Sequence, residues 1–262
     1  MASNRAAALG VKAVGRGPCH YPCMAHSPAA LRRKTARVVA LLEPLHGRPS
    51  FKPRKDPDLV AQLVRALLSQ QTTSEACSIA FARLREGTQT WDEVLALGVP
   101  EVELRIRPAG LAPQKAPRLL AILDQLREER GAITLEHLRA MDDEAALREL
   151  LRLPGVGPKT ACCVLMFGMG REVLPVDTHV HRIARRLGLI DDSVPEATAH
   201  RLLAAMVAPG DRFAFHVQLF EHGRAMCRSQ RPRCEQCPLR RMCGWWRAGA
   251  GESAPRRGPG TR

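Results

Sequence analysis

The stretch LPGVGPKTA, residues 153–161, joins two segments whose apolar residues recur at helical spacing. Gly155 and Gly157 allow the backbone to take positive φ and reverse within a few residues, and Pro158 suits the first position of a helix. Backbone N–H groups in such a turn, together with the positive end of the next helix, can bind an anion such as phosphate. The stretch therefore predicts a helix–hairpin–helix, although an ordinary corner between two helices has the same outline.

Lys159 follows this turn, and lysine is scarce in the chain. Only six of the 40 basic residues are lysines, and Lys159 is the last of them. Arginine serves as the general surface cation here, so a lysine directly after a phosphate-binding turn raises the question of whether an amine is needed at that position.

The charge of the chain favours a polyanionic partner. The 262 residues carry a formal net charge of +14, which attracts nucleic acid first and an anionic membrane second. A basic enzyme from a GC-rich genome would show the same excess of arginine. No run of about 18 apolar residues is present, so no membrane span is expected.

The apolar pattern predicts an all-α protein. Helical stripes cover residues 76–84, 92–97, 117–128, 143–151, 159–167, 178–187 and 198–207. Glycine and proline clusters separate them, among them Gly98–Pro100, Gly110–Pro113 and Gly168–Gly170. No alternating strand pattern is found.

LPGVGPKTA, followed eighteen residues after its lysine by the aspartate of PVDTHVHR at 175–182, resembles the helix–hairpin–helix DNA glycosylases. The resemblance runs from about 31 to 246, is nearest to the endonuclease III-like branch, and includes LLSQQTT (67–73), AGLAPQKA (109–116) and FEHGRAMC (220–227).

That resemblance implies a two-lobed all-α fold. A six-helix barrel lobe would span 52–171 and contain the hairpin. An iron–sulfur cluster lobe would combine 31–51 with 172–247. Residues 1–30 and 248–262 are then expected to be disordered tails, and Met24 could be the true start.

The resemblance also implies the chemistry of Lys159 and Asp177. Cleavage of an N-glycosidic bond passes through a positively charged sugar, which a carboxylate stabilises, and an amine can attack the same carbon to form a Schiff base. Lys159 would be the nucleophile and Asp177 its electrostatic or basic partner. The residues alone equally allow a phosphate-binding lysine and an aspartate that only caps a helix.

Four cysteines, Cys227, Cys234, Cys237 and Cys243, have the spacing C-x6-C-x2-C-x5-C. This spacing permits either structural zinc or an iron–sulfur cluster. The resemblance implies a [4Fe–4S] cluster. Cys77, Cys162 and Cys163 are expected to be core thiols, and the pair Cys19 and Cys23 gives only a weak metal-binding pattern.

Predicted contacts with double-stranded DNA form three groups. The hairpin would contribute Gly155, Val156, Gly157 and Thr160; the base stack would be entered by Gln71 and Leu111; and the cysteine segment would present Arg228, Arg231 and Arg233. The chain departs from the family where Ser74 replaces a common acid, and where Ala112 and Pro113 replace an aromatic residue and an asparagine, so the preferred base is left open.

The expected activity is that of a bifunctional base excision repair enzyme, a DNA glycosylase with AP lyase activity on damaged bases, oxidised pyrimidines first. Alternatives are an adenine-specific mismatch glycosylase, which usually has a glutamate where Ala66 stands and lacks the lysine, a non-catalytic DNA-binding module of the same fold, and an RNA-binding protein. We expect a monomer without membrane attachment, located in the cytoplasm at the bacterial nucleoid. The acid-free N-terminus leaves organellar targeting open.

Overall fold

The computed structural model describes residues 27–52 and 58–249, and in these ranges the chain forms twelve α-helices and no strand. The helices are α1 Pro28–His46, α2 Leu59–Leu68, α3 Ser74–Arg85, α4 Trp91–Ala96, α5 Gly98–Ile106, α6 Ala112–Arg130, α7 Asp143–Leu151, α8 Pro158–Met169, α9 Thr178–Leu187, α10 Glu196–Met206, α11 Arg212–Ala225 and α12 Gly244–Arg247. The all-α prediction is confirmed. Among the described residues, no helix is both long and apolar enough to cross a bilayer.

Helix α8 lies at the centre of the first half of the fold. Nearly every residue from Thr160 to Gly168 is buried, so the helix is apolar on all faces, as expected of a helix enclosed by others. It packs against α2, α7 and α10. Gly168 allows α2 to approach closely, because a Cβ atom there would lie 2.9 Å from Leu59 Cδ2.

The hairpin before α8 uses its two glycines differently. Gly155 has φ +73°, a conformation that glycine adopts without steric cost. Gly157 has φ −92° and ψ 175°, so it is extended, and it forms the N-cap of α8 with Pro158 at the first helical position. The prediction of positive φ at both glycines is therefore wrong for Gly157. This residue serves as the N-cap through which the chain enters α8.

The packing partners favour the predicted division into two lobes, whose exact bounds remain a proposal. Helices α2 to α8 pack largely with one another, whereas α1 packs against α10 and α11, and α9 against α11 and α12. The buried apolar residues of both halves belong to one connected core. The two lobes are thus parts of a single packed unit.

Several boundaries differ from the sequence expectations. Helix α1 begins at Pro28, capped by the Ser27 side chain, so the last residues assigned to the N-terminal tail are helical. The remaining residues of both predicted tails, 1–26 and 250–262, and with them Cys19, Cys23 and Met24, lie outside the described residues. Gly98–Pro100 marks a helix boundary as predicted, since α4 ends at Ala96 and α5 begins at Gly98, but Gly98 and Pro100 themselves belong to the first turn of α5.

Helix α11 was not expected at all, because it has no single apolar stripe. Its buried residues include His216, Gln218, His222 and Gly223 and lie on more than one face. At Gly223 it meets α9 so closely that an added Cβ would lie 2.6 Å from Cβ of His179.

This contact predicts that Gly223→Ala lowers the free energy of unfolding. In an open helix interior the change from glycine to alanine would stabilise by about 1 kcal/mol. Here the methyl group meets the immovable stem of His179, and the net effect should be a loss of about 1–3 kcal/mol. Chemical denaturation of Gly223→Ala, with Gly210→Ala as the control because its Cβ would meet nothing within 4 Å, measures the difference. Equal stability of the two variants would contradict the close contact.

Candidate active site

Asp177 caps the N-terminus of α9. Its Oδ1 accepts hydrogen bonds from the backbone N–H groups of His179 at 2.9 Å and Val180 at 2.8 Å. These bonds satisfy amides that have no partner within the helix, and they hold the carboxylate at a fixed position beside the positive helix end. The predicted cap is confirmed, and a capping role leaves Asp177 Oδ2 available for a second task.

Two buried histidines hold the backbone that leads into Asp177. The Nδ1 atom of His200 accepts from the Val176 N–H at 3.1 Å and lies 3.0 Å from the Leu174 carbonyl oxygen. The Nδ1 atom of His216 lies 2.9 Å from the Pro175 carbonyl oxygen. Burial lowers the pKa of both imidazoles below the usual value for histidine. They therefore act as neutral hydrogen-bonding groups that fix the segment before the cap.

Lys159 stands on the first turn of α8 and is half-buried. Its side chain lies near the thiol of Cys163, one helical turn further on. Burial raises the pKa of that thiol, and the charge of Lys159 partly opposes the rise.

Lys159 and Asp177 share the same electrostatic surroundings. Both charges act on the pKa values of Cys163, Glu196, His200 and His216, with opposite signs. Two charges act on the same four groups only when both lie within a short distance of them. The sequence-predicted amine and carboxylate therefore lie within charge range of the same groups, each at the N-terminus of a helix.

His179, which follows the cap, has the contacts of a structural residue. Its Nδ1 lies 3.1 Å from Nη2 of Arg182, and its ring packs edge-on against Phe220. Glu196, in contrast, was missed by the sequence reasoning. It opens α10, and burial raises the pKa of its carboxyl group, so a second acid stands within charge range of Lys159 and Asp177.

The side chains predicted to enter the base stack stand on strained backbone. Among the described residues, the non-glycine positions with positive φ are Gln71 at 53°, Leu111 at 52° and Arg231 at 48°. All three were predicted DNA contacts, and all three are exposed. Left-handed backbone costs about 1–2 kcal/mol at an ordinary residue, and such strain is concentrated at functional sites.

The hairpin presents backbone rather than side chains. Gly155 is exposed, whereas the side chains of Val156 and Thr160 are buried. Val156 instead forms a turn, donating its N–H to the Leu153 carbonyl at 3.1 Å. Because the Val156 N–H is used in this turn, a contact of the hairpin with DNA would rely on the main chain of Gly155 and on Gly157 and Thr160 at the helix start.

The four cysteines of the C-x6-C-x2-C-x5-C pattern lie within charge range of one another. Burial and neighbouring thiols raise the pKa of Cys234 to about 11 and that of Cys237 to about 12. A positively charged inorganic group would reverse this preference for the neutral thiol. Among the described residues, however, no three histidine, cysteine, aspartate or glutamate side chains converge closely enough to hold one metal ion.

Arg186 of α9 holds the first part of this cysteine segment. Its Nη1 donates to Cys227 Sγ at 3.2 Å and to the Arg228 carbonyl at 2.8 Å, and its Nη2 donates to the Ser229 carbonyl at 3.2 Å. Its guanidinium also stacks over Trp245 at 4.4 Å. The exposed Arg228, Arg231 and Arg233 are presented by a loop that α9 anchors.

The described cysteines are all free thiols. Cys77, Cys162 and Cys163 are buried among the apolar residues or beside Lys159, as predicted for core thiols.

The neutral state of His200 predicts a stability change with pH. Its pKa is lowered in the folded protein, so the unfolded chain binds the extra proton first as the pH falls. The stabilisation is complete above about pH 6.5 and declines as the pH drops below that value toward the lowered folded pKa. Between pH 7.5 and 5.5, wild type should lose about 1 kcal/mol more of its unfolding free energy than His200→Gln. Identical pH dependence in denaturant titrations would contradict a neutral buried His200.

Comparison with known proteins agrees with this geometry. Residues 64–208, more than half of the chain, match the family model of the HhH-GPD superfamily base excision DNA repair proteins. Endonuclease III of Thermotoga maritima is 36% identical over 200 residues, covering 76% of this chain and 89% of the relative. A putative DNA glycosylase of Arabidopsis thaliana is 40% identical over 162 residues, which are 62% of this chain but only 55% of the plant protein.

A solved structure of a trapped covalent intermediate between endonuclease III and DNA has the same fold. It aligns with a TM-score of 0.69 and 26% identity, covering 85% of this chain and 99% of the other. The all-α, two-lobed helix–hairpin–helix fold expected from the sequence is thereby confirmed. The chain belongs to the HhH-GPD superfamily of base excision DNA repair proteins and is an endonuclease III-like member of it.

Proposed function

We propose that this chain is a bifunctional DNA glycosylase and AP lyase, which releases damaged bases from duplex DNA and nicks the strand 3′ of the abasic site. The observation that carries the proposal is that Lys159 and Asp177, each at the N-terminus of a helix, act on the same four titratable groups. The similar enzyme trapped as a covalent intermediate with DNA supports the same chemistry.

The reaction would begin with attack of the neutral Lys159 amine on the anomeric carbon of an extruded nucleotide. The bond to the base breaks, and the base leaves with its electron pair and takes up a proton. Asp177, fixed by its two backbone hydrogen bonds, faces the positive charge that develops on the sugar. The attached amine then loses a proton, and its nitrogen lone pair forms the C=N bond as the C1′–O4′ bond breaks and O4′ takes up a proton. The product is a protonated Schiff base between Lys159 and the opened sugar.

The second half of the reaction would cut the strand. In the imine the C2′ proton is acidic, and its removal expels the 3′ phosphate with the electrons of the C3′–O bond. Asp177 and Glu196 are the carboxyl groups near Lys159 that could accept such a proton. Burial raises the pKa of Glu196, which makes its carboxylate a stronger base than an ordinary glutamate.

DNA would lie across the hairpin, the two strained loops and the cysteine segment. Main-chain N–H groups of Gly155, Gly157 and Thr160 would bind phosphate, as would Arg228, Arg231 and Arg233. Val156, whose N–H is used by the Leu153 carbonyl, would shape the turn. Gln71 and Leu111 would fill the space left by the extruded base. The damaged base is proposed to be an oxidised pyrimidine.

We further propose that the protein acts as a monomer where the genome is located, as the basic surface of a DNA-binding enzyme suggests. A bacterial nucleoid or an organelle is a suitable place.

The cysteine segment is proposed to hold a [4Fe–4S] cluster through Cys227, Cys234, Cys237 and Cys243. The support is the spacing C-x6-C-x2-C-x5-C, together with the mutual effect of the four thiols on one another's pKa. When bound, the cluster would link the four thiolates covalently and stiffen the loop. The chain itself contributes the Arg186 hydrogen bonds, which orient Cys227 and the arginine loop.

The variant Lys159→Arg tests whether the reaction needs an amine at residue 159. Guanidinium still binds phosphate but stays protonated and forms no Schiff base. The variant should bind an abasic duplex with nearly unchanged affinity. Its nicking rate should fall by at least about a hundredfold, with no covalent adduct after borohydride reduction.

The matched control for this variant is Lys52→Arg, which changes an exposed lysine outside the site and should behave as wild type. Normal nicking and trapping by Lys159→Arg would leave Lys159 as a phosphate ligand only. Absence of nicking in wild type itself would favour a non-catalytic DNA-binding module, and equal affinity for RNA would favour an RNA-binding protein.

The cluster is tested by metal analysis of protein made under iron-replete, anaerobic conditions. We expect a yellow-brown protein with about four irons per chain. Cys234→Ala should lose the iron and bind DNA more weakly, whereas Cys77→Ala, which removes a buried thiol from the barrel lobe, should keep it. Stoichiometric zinc in wild type would contradict the assignment.

A further inference from the structure

Lys115 is a buried lysine between the two loops that carry Gln71 and Leu111. It lies in the first turn of α6, and only 5% of its surface is exposed. Its Nζ atom donates to three backbone carbonyls, those of Leu68 at 2.8 Å, Gln70 at 2.7 Å and Ala109 at 2.9 Å. An ammonium group has three donors, so its hydrogen-bonding capacity is fully used.

The three acceptors belong to two separate loops. Leu68 is the last residue of α2, and Gln70 directly precedes Gln71. Ala109 ends a short 3-10 helix two residues before Leu111. The ammonium group therefore ties the start of one loop to the start of the other.

Both loops are held in a costly conformation. Gln71 and Leu111 have nearly equal positive φ angles, and strained backbone persists only where its surroundings fix it. The carbonyl groups at the end of α2 lack partners within the helix and carry the negative end of its dipole. A buried ammonium group at this point donates to these carbonyls. Their oxygens in turn replace the water that the ammonium group loses on burial and so offset part of its desolvation cost.

The same contact network reaches the hairpin. The Gln70 side chain donates through Nε2 to the Thr160 hydroxyl at 3.3 Å, and Thr160 is the neighbour of Lys159. Lys115 thus connects the two exposed loop tips to the first turn of α8, although it touches neither the proposed nucleophile nor the expected DNA surface.

We infer that Lys115 is a positioning residue that holds the Gln71 and Leu111 loops in one fixed relation, so that their two tips enter the base stack as a unit. The inference rests on the proposed function for the roles of the two tips. Lysine is required because its compact ammonium group can donate in three directions, whereas a planar guanidinium fits a different set of acceptors.

The test measures base-stack opening without catalysis. A duplex carries a stable tetrahydrofuran abasic analogue with 2-aminopurine opposite it, and the rise of 2-aminopurine fluorescence on saturation with protein reports unstacking. Wild type should give a large rise. Lys115→Met should lose most of it at equal saturation, as should the double variant Gln71→Ala/Leu111→Ala.

A mutant cycle separates positioning from general loss of structure. If Lys115 acts through the two tips, adding Lys115→Met to Gln71→Ala/Leu111→Ala should slow single-turnover base release from duplex DNA by less than about twofold. The same change in wild type should slow it by about tenfold or more. The inference would be overturned if Lys115→Met slowed base release by the same factor in wild type and in the double variant. An unchanged fluorescence rise in Lys115→Met would overturn it as well.

The control is Lys34→Met, because Lys34 is also part-buried and donates to the carbonyl of a helix end, that of Leu187, far along the chain from the two loops. It should leave the fluorescence rise intact. If Lys115→Met does not fold, Lys115→Arg takes its place, since it keeps the buried charge; a normal fluorescence rise in that variant would overturn the requirement for a three-way ammonium contact.

The proposed function and this inference fail in different ways. Absence of base release and of borohydride trapping in wild type would reject the enzyme activity, while the fluorescence comparison would still decide the role of Lys115. Normal catalysis in wild type with normal unstacking in Lys115→Met would reject the inference alone.

Discussion

The cap formed by Asp177 on α9 is the interaction on which the site depends. Its carboxylate accepts two backbone hydrogen bonds and is thereby fixed at the positive end of a helix. His200 and His216 hold the preceding backbone, so the position of the carboxylate is set from both sides of the chain. Lys159 comes from the start of a second helix and acts on the same titratable groups as Asp177. The proposed reactive pair would thus be built from the starts of two helices.

The same helix joins this carboxylate to the cysteine segment. Arg182 donates to the carbonyls of Cys227 and Gly223, and one turn later Arg186 donates to the sulfur of Cys227 and to the next loop carbonyls. Helix α9 therefore carries Asp177 at one end and the arginine-rich loop at the other. Through α9, the position of the cysteine segment is linked to that of the Asp177 cap.

Features encoded by short stretches of sequence could be predicted, and those that depend on distant contacts could not. Local sequence encodes the hairpin, the cap at Asp177 and the spacing of the cysteines. Motif resemblance singled out Gln71 and Leu111, whose backbone has positive φ. Helix α11 was missed because it is buried on several faces and shows no simple stripe. Lys115 and Arg186 look like ordinary helical cations in the sequence, since their carbonyl partners come from other elements. The extended state of Gly157 was missed because a glycine pair suggests positive φ at both positions.

The scarcity of lysine allows a direct test of the central claim, that the amine at the start of α8 reacts with DNA. Wild-type protein is reduced with borohydride on an abasic duplex, the DNA is trimmed by nuclease, and the modified peptide is identified by mass spectrometry. Only six lysines compete for the label. We expect a sugar adduct on Lys159, in a peptide extended by a missed tryptic cleavage at that residue. An adduct on any other lysine or on the N-terminal amine, with Lys159 unmodified, would contradict it.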